Sequence, residues 1–160
     1  MNWASFTERA PELARLGAER FESAQLCLVG TLRRDGSPRI SPVEPMIVDG
    51  ELLLGMMWQS QKALDLQRDP RLAVHSVVSD RAGSEGDVKV YGRAVDVTDP
   101  GLRERYADAM EAKIDWRPPE PFHLFAVDVE SAGFMVFGDD GYGLAWEPER
   151  GLRRLTLPSP

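Results

Sequence analysis

The chain has 160 residues, enough for one domain, and its 42% hydrophobic and 28% charged residues exclude a disordered or fibrous polymer. Against 19 basic residues stand 26 acidic ones, a net charge of −7 that is the wrong sign for a nucleic-acid backbone or an anionic membrane surface. A single cysteine, Cys27, excludes an intrachain disulfide and reads, between Leu26 and Leu28, as a small buried apolar residue.

No apolar h-region follows Met1, and no apolar run approaches the ~18 residues of a membrane span, so a cytoplasmic chain is expected. Residues 5–24 predict one amphipathic helix, with Leu13, Leu16, Phe21 and Ala24 at three-to-four spacing. Its start is marked twice, by the capping-box spacing of Ser5 to Glu8 and by Pro11. From residue 25 the period changes to two, and a strand runs through Leu32. Arg34-Asp35-Gly36-Ser37 is a hairpin turn, a second strand covers about 38–48, and Asp49-Gly50 turns into a third, Glu51 to Met57. These three strands read as an antiparallel meander.

Ser60 to Arg68 predicts a short helix ended by Asp69-Pro70, and Arg71 to Val78 the next strand. After the Gly83-Ser84-Glu85-Gly86 loop comes a long strand, Asp87 to Val97, then a helix over about 100–113. Leu102, Tyr106 and Met110 share one face of that helix. A proline-rich loop at 116–121 precedes strands at Phe122 to Val129, Phe134 to Val136, Tyr142 to Trp146 and Leu152 to Leu157. Short, turn-linked strands with three helices predict an α+β chain, mainly β: an antiparallel barrel with peripheral helices, not an alternating βα fold. One domain over 1–160 is expected, its core at about 25–137 and a C-terminal hairpin at 138–157.

Most catalytic motifs are missing. There is no phosphate-binding G-x-x-x-x-G-K-[ST] loop, no G-x-G-x-x-G and no serine in a G-x-S-x-G elbow. His75, His123 and Cys27 are too scattered for a zinc site, and each histidine reads as a core or sheet residue. Three local features remain. Trp58-Gln59-Ser60-Gln61-Lys62-Ala63 puts a serine cap and one of only three lysines at a helix start, where free N–H groups and the helix dipole favour an anion. Pro38, Pro42 and Pro45 fall within eight residues, so this strand cannot be paired on both sides. Gly55-Met56-Met57-Trp58 beside it suits the wall of an aromatic ring. Taken singly, an ordinary cap, an edge strand and core residues are the simpler readings.

Together they are more specific. Leu32-Arg33-Arg34-Asp35-Gly36-Ser37-Pro38-Arg39 and Ser60-Gln61-Lys62-Ala63, in this order of elements, resemble the pyridoxamine 5′-phosphate oxidase-like family, and within it the actinobacterial flavin/deazaflavin-dependent oxidoreductases. The resemblance is densest over 26–97 and continues to about 137. It implies an FMN-binding split β-barrel of about six to eight strands, working as a homodimer with FMN or the deazaflavin coenzyme F-420 at the subunit interface. Ser60 and Lys62 would then bind the cofactor phosphate. Arg39, Ser41, Pro42 and Val43 would line one ring edge, and Met56, Met57 and Trp58 would run beside it. The other side would come from the partner chain, with Arg93, Trp116 and Arg117 as the candidates, and no metal is implied.

The implied activity is hydride transfer to a small unsaturated substrate, with no catalytic side chain required. The alternative is a non-catalytic carrier or sensor for flavin, heme or a lipophilic ligand. Leu152-Arg153-Arg154-Leu155 departs from the family's substrate-binding pattern of arginine and histidine, which puts oxidation of pyridoxamine phosphate itself in doubt. Charge distribution agrees with an anion site near Lys62: residues 31–75 carry no net charge, whereas 76–160 carry −6.

Overall fold

Two Asp-Gly turns set the first half of the sheet. A computed structural model describes residues 1–156. In it β1 (Cys27–Leu32) and β2 (Pro38–Val43) pair from Cys27 opposite Val43 to Leu32 opposite Pro38. Asp35 closes the turn by accepting hydrogen bonds from the Ser37 N–H and hydroxyl. β3 (Pro45–Val48) and β4 (Glu51–Met57) form the second hairpin, where Asp49 and Gly50 both take positive φ, 52° and 77°. That is the two-residue turn whose twist matches the flanking strands.

The expected strand over 38–48 is therefore two strands, and the meander is two separate hairpins. Pro42 and Pro45 bracket the break at Glu44, because neither can donate to a partner on that side. The consequence is topological. The antiparallel order is β2-β1-β5-β6-β7-β4-β3, with β5 at Arg71–Ser76, β6 at Asp87–Asp96 and β7 at Phe122–Val136. Its two ends are successive in sequence and joined through Glu44 alone, so the sheet rolls into a barrel split along that line.

β7 joins what the sequence predicts as two strands. It carries one extra residue opposite Tyr91 and Gly92, a bulge that lets it continue past Glu130. A Cβ on Gly92 would lie 2.1 Å from the Asp128 carbonyl, so this crossing needs glycine. The first part of β7 pairs with β4, and its last part with β8 (Tyr142–Glu147). β9 (Gly151–Thr156) pairs with β8 and completes nine strands among the described residues, more than the six to eight expected. Leu157, the expected end of the last strand, lies outside the described residues.

The expected N-terminal helix is also two. α1 (Trp3–Arg9) is capped by the Asn2 side chain, which accepts from the Ser5 N–H. α2 (Pro11–Ala24) starts afresh because the residue before a proline is disfavoured in helical conformation, and Ala10 sits at φ −142°, ψ 60°. α3 (Gln61–Arg68) and α4 (Pro100–Ile114) match their expected positions to within a residue. No described helix is long and apolar enough to cross a membrane.

Two apolar clusters hold the fold. In the first, Phe6, Leu13, Val29, Leu54, Phe125 and Trp146 join α1 and α2 to the inner sheet face. The second packs Tyr106 and Met110 of α4 on Leu53, Phe122 and Leu124. Alternation along β4 and β7 feeds both clusters from opposite faces of the same strands. The second cluster is the one that borders the site.

Candidate functional site

At the end of β4 the chain turns through Gln59, which takes φ 57°, and starts α3 at Ser60. Ser60 has the extended backbone of a cap, yet its side chain makes no capping bond. Its Oγ is buried and has no hydrogen-bond partner. No acidic residue stands in the first helical turn, and the Lys62 ammonium lies 3.4 Å from the Pro42 carbonyl. Free backbone donors, an orphan hydroxyl and a lysine thus converge at one positive helix end.

Further along α3, Asp65 is 3% exposed and accepts from Thr31 Oγ1 at 3.0 Å, Arg39 Nε at 2.6 Å and Arg68 Nη2 at 3.2 Å. Burial alone would raise this carboxyl. The bonds from Arg39, Thr31 and Arg68 outweigh it and hold Asp65 below the usual carboxylate range. Arg39 is held by Nε, and neither of its terminal amino groups bonds another described residue.

A cavity of about 650 Å³ opens between the end of β4, the β2–β3 junction, α4 and the loop at 115–121. Six expected site residues line it: Pro42, Met56, Met57, Trp58, Lys62 and Trp116. Trp58 is stacked on the His123 ring at 4.5 Å between centroids, and its indole is 53% exposed. Sequence reading missed the opposite wall, made by Tyr106, Met110, Ile114 and Phe122. The apolar face of α4 was visible as a stripe, but nothing in the stripe told which strand it meets. Gly55 gives the contact: a Cβ there would stand 2.1 Å from the Tyr106 hydroxyl oxygen. Burial, with the Glu44 carboxylate adding to it, pushes the Tyr106 phenol well above its ordinary value.

The other expected residues lie elsewhere. Val43 is 2% exposed within the first core, and Ser41 is half-buried in β2. Arg39 and Ser60 belong to the α3 end just described. Arg93 is exposed on β6, opposite Arg71. Arg117 is drawn away by Asp108, Glu111 and Glu104 of α4, and these bonds raise its pKa further. His123 is buried in β7 and His75 half-buried in β5, as sheet residues. Among the described residues no group of three or more His, Cys, Asp or Glu could hold a metal. Burial, then the Glu44 carboxylate, pushes the Cys27 thiol up to about 12. It is an inert core residue.

Solved structures share this architecture at low identity. A conserved hypothetical protein from Mycobacterium tuberculosis is 22% identical with a TM-score of 0.62, over 72% of this chain and 79% of its own. A heme binding protein from Mycobacterium smegmatis is also 22% identical at 0.62, over 82% of this chain, which spans 58% of that protein's length. A heme storage protein from Vibrio cholerae is 15% identical at 0.60, over 76% of this chain and 92% of its own. No curated protein matches in sequence. At these identities the likeness shows the fold alone. Sequence is more specific, because the pyridoxamine 5′-phosphate oxidase model matches residues 17–136, from α2 through the end of β7 and so across the whole α3 end and cavity wall. The chain belongs to the pyridoxamine 5′-phosphate oxidase family.

Proposed function

We propose that the chain is a homodimeric oxidoreductase that holds FMN or the deazaflavin coenzyme F-420 and reduces a small unsaturated substrate. The observation that carries this reading is the buried, unpartnered Ser60 Oγ at the start of α3, beside Lys62. A buried hydroxyl without a partner costs stability, and a phosphate oxygen would satisfy it along with the free N–H groups of the first turn. The cofactor's ribityl phosphate fits this end. Arg39, fixed through Nε by Asp65, keeps its terminal amino groups for the same anion.

The ring system then fits along the free edge of β2, at Ser41, Pro42 and Val43, with Met56, Met57 and Trp58 beside it. A bound ring supplies the hydride chemistry. The chain's own residues bind the phosphate, orient the substrate in the cavity and keep water out with apolar walls. Trp116 lines this cavity from its own chain, so its part needs no second copy.

Dimerisation is supported by the outer sheet face. Ile40, Gly30, Ala73 and Tyr91 align across β2, β1, β5 and β6, with Ile40 71% and Tyr91 49% exposed. Arg93 stands on this face, where a second copy would bring it to the interface. Arg117 comes to the site in this reading only by leaving its carboxylate partners on α4.

The second reading, a non-catalytic heme or lipophilic-ligand binder, is favoured by the two heme-associated neighbours. Neither of the chain's histidines lines the cavity, so heme would find no imidazole ligand on its wall. Titration of the purified protein with FMN, F-420 and hemin, followed by absorbance, separates the readings. Micromolar binding of FMN or F-420 is expected, and Lys62→Ala should weaken it by about 1.5–3 kcal/mol. Unchanged affinity in that variant removes Lys62 from the phosphate site, and a failure of both FMN and F-420 to bind at micromolar levels overturns the oxidoreductase reading.

A further inference from the structure

The cavity has three charged residues on its wall, Lys62, Glu44 and Glu120, and they are not equivalent. Glu120 is engaged by Arg103, whose Nη2 lies 3.3 Å from both carboxylate oxygens. Lys62, in the first turn of α3 with its ammonium 3.4 Å from the Pro42 carbonyl, is the residue assigned to the phosphate in the proposed reading. Glu44 forms no ion pair and accepts no side-chain hydrogen bond among the described residues. It stands where β2 breaks into β3, two residues beyond Pro42, and its field reaches the buried Tyr106 phenol at the cavity wall. Once a phosphate neutralises Lys62, Glu44 is the charge a second ligand meets.

What surrounds that charge is aromatic and soft. Trp58, Tyr106, Trp116 and Phe122 line the same space, together with Met57 and Met110. Trp58 has one face committed to His123, and Phe122 has the Arg103 guanidinium 4.2 Å from its ring centroid. The exposed indole surfaces of Trp58 and Trp116 are therefore the available π surfaces. Indole faces attract organic cations, and a carboxylate next to them selects cation over anion.

We infer that this part of the cavity takes an organic cation, a protonated amine or quaternary ammonium on a small apolar or aromatic body. The ammonium lies at Glu44 and the body against Trp58 and Trp116. This names the substrate class of the proposed oxidoreductase site and rests on that reading for its role in turnover. An anionic substrate would meet an uncompensated carboxylate, and a neutral one would gain only the apolar contact.

Three probes with one body and different charge test it: 3-phenylpropylamine, 3-phenylpropanol and 3-phenylpropanoate. Each is titrated into the full chain at pH 7 and followed by tryptophan fluorescence, first without FMN and then with FMN at saturation. The amine should bind about tenfold more tightly than the alcohol, and the carboxylate most weakly. The preference should shrink as salt is added, because Glu44 is solvent-exposed. Glu44→Gln should bring the amine to the level of the alcohol, and Glu44→Lys should reverse the order in favour of the carboxylate. No saturable amine binding, equal binding of amine and alcohol, or an amine preference that survives Glu44→Gln overturns the inference. FMN affinity, read separately from flavin fluorescence, tests the phosphate end. Its loss with the amine preference intact sinks the cofactor reading alone, and the opposite pattern sinks the cation site alone.

Discussion

β1, β5 and β6 present two faces of very different standing. Inward, Cys27, Val29, Val74, Val88 and Val90 are each at most 1% exposed, and α2 packs over them closely enough that a Cβ on Gly17 would lie 3.3 Å from Val88. Outward, Leu28 and Tyr91 remain exposed, as does Ile40 on neighbouring β2, with Gly30 and Ala73 between them. Alternation itself is ordinary strand geometry, but an outward face should then be polar. Here folding has satisfied one face and left on the other an exposed apolar strip, Leu28, Ile40 and Tyr91, beside the charged Arg71, Lys89 and Arg93. The difference marks the inner face as a stability determinant and makes the outer strip the place to test for the proposed dimer.

The sharpest way to break that division is to truncate one aromatic on each side. Phe125→Ala, in the inner cluster at 2% exposure, should cost about 3–5 kcal/mol in urea unfolding. Tyr91→Ala should stay within about 1 kcal/mol when the chain is dilute enough to be monomeric. Comparable losses at the two positions would mean that the outer face also carries the monomer's stability. The next effect concerns assembly. Ile40→Glu combined with Tyr91→Glu should weaken self-association about a hundredfold, roughly 2.7 kcal/mol, because charges replace the centre of the patch. Sedimentation across a dilution series reads this, and an unchanged assembly mass would remove the face from the interface.

How much of this was legible beforehand depends on how far each signal reaches along the chain. Turn chemistry is local, so Asp35-Gly36 and Asp49-Gly50 located their hairpins, and β4 begins and ends at Glu51 and Met57 as expected. Breaks were harder. Ala10 ends α1 because Pro11 follows, and Glu44 ends β2 because prolines flank it, yet the apolar periodicity runs through both places. β7 differs the other way: the sequence predicts a break between Val129 and Phe134, and the bulge that carries the strand through is visible only in its pairing with β6. The α3 end of the site was readable, since cap, lysine and β2 prolines are short-range signals. Tyr106, Phe122 and Gly55 were not, because their meeting depends on a helix and two strands far apart in sequence.

Asp65 belongs to the inner side, where it accepts from Thr31 and Arg39, cross-strand partners on β1 and β2. Its carboxyl is held below the ordinary value, so the folded state prefers it ionised. The stability it contributes is present above the unfolded carboxyl value of about 3.9 and is lost as pH falls through the lower folded value. Asp65→Asn lacks this charge at every pH. Its deficit against the unaltered chain should therefore be largest at pH 6 and shrink by pH 3, in urea midpoints measured at both. Asp69, held down to about 2 by its hydrogen bonds from Arg71, and Glu85, held to about 2 by Ser79 and neighbouring N–H groups, titrate in the same acid range. Both are present in either protein, so they cancel in the difference. A deficit that is equal at the two pH values would mean that Asp65 is not the ionised anchor of Arg39.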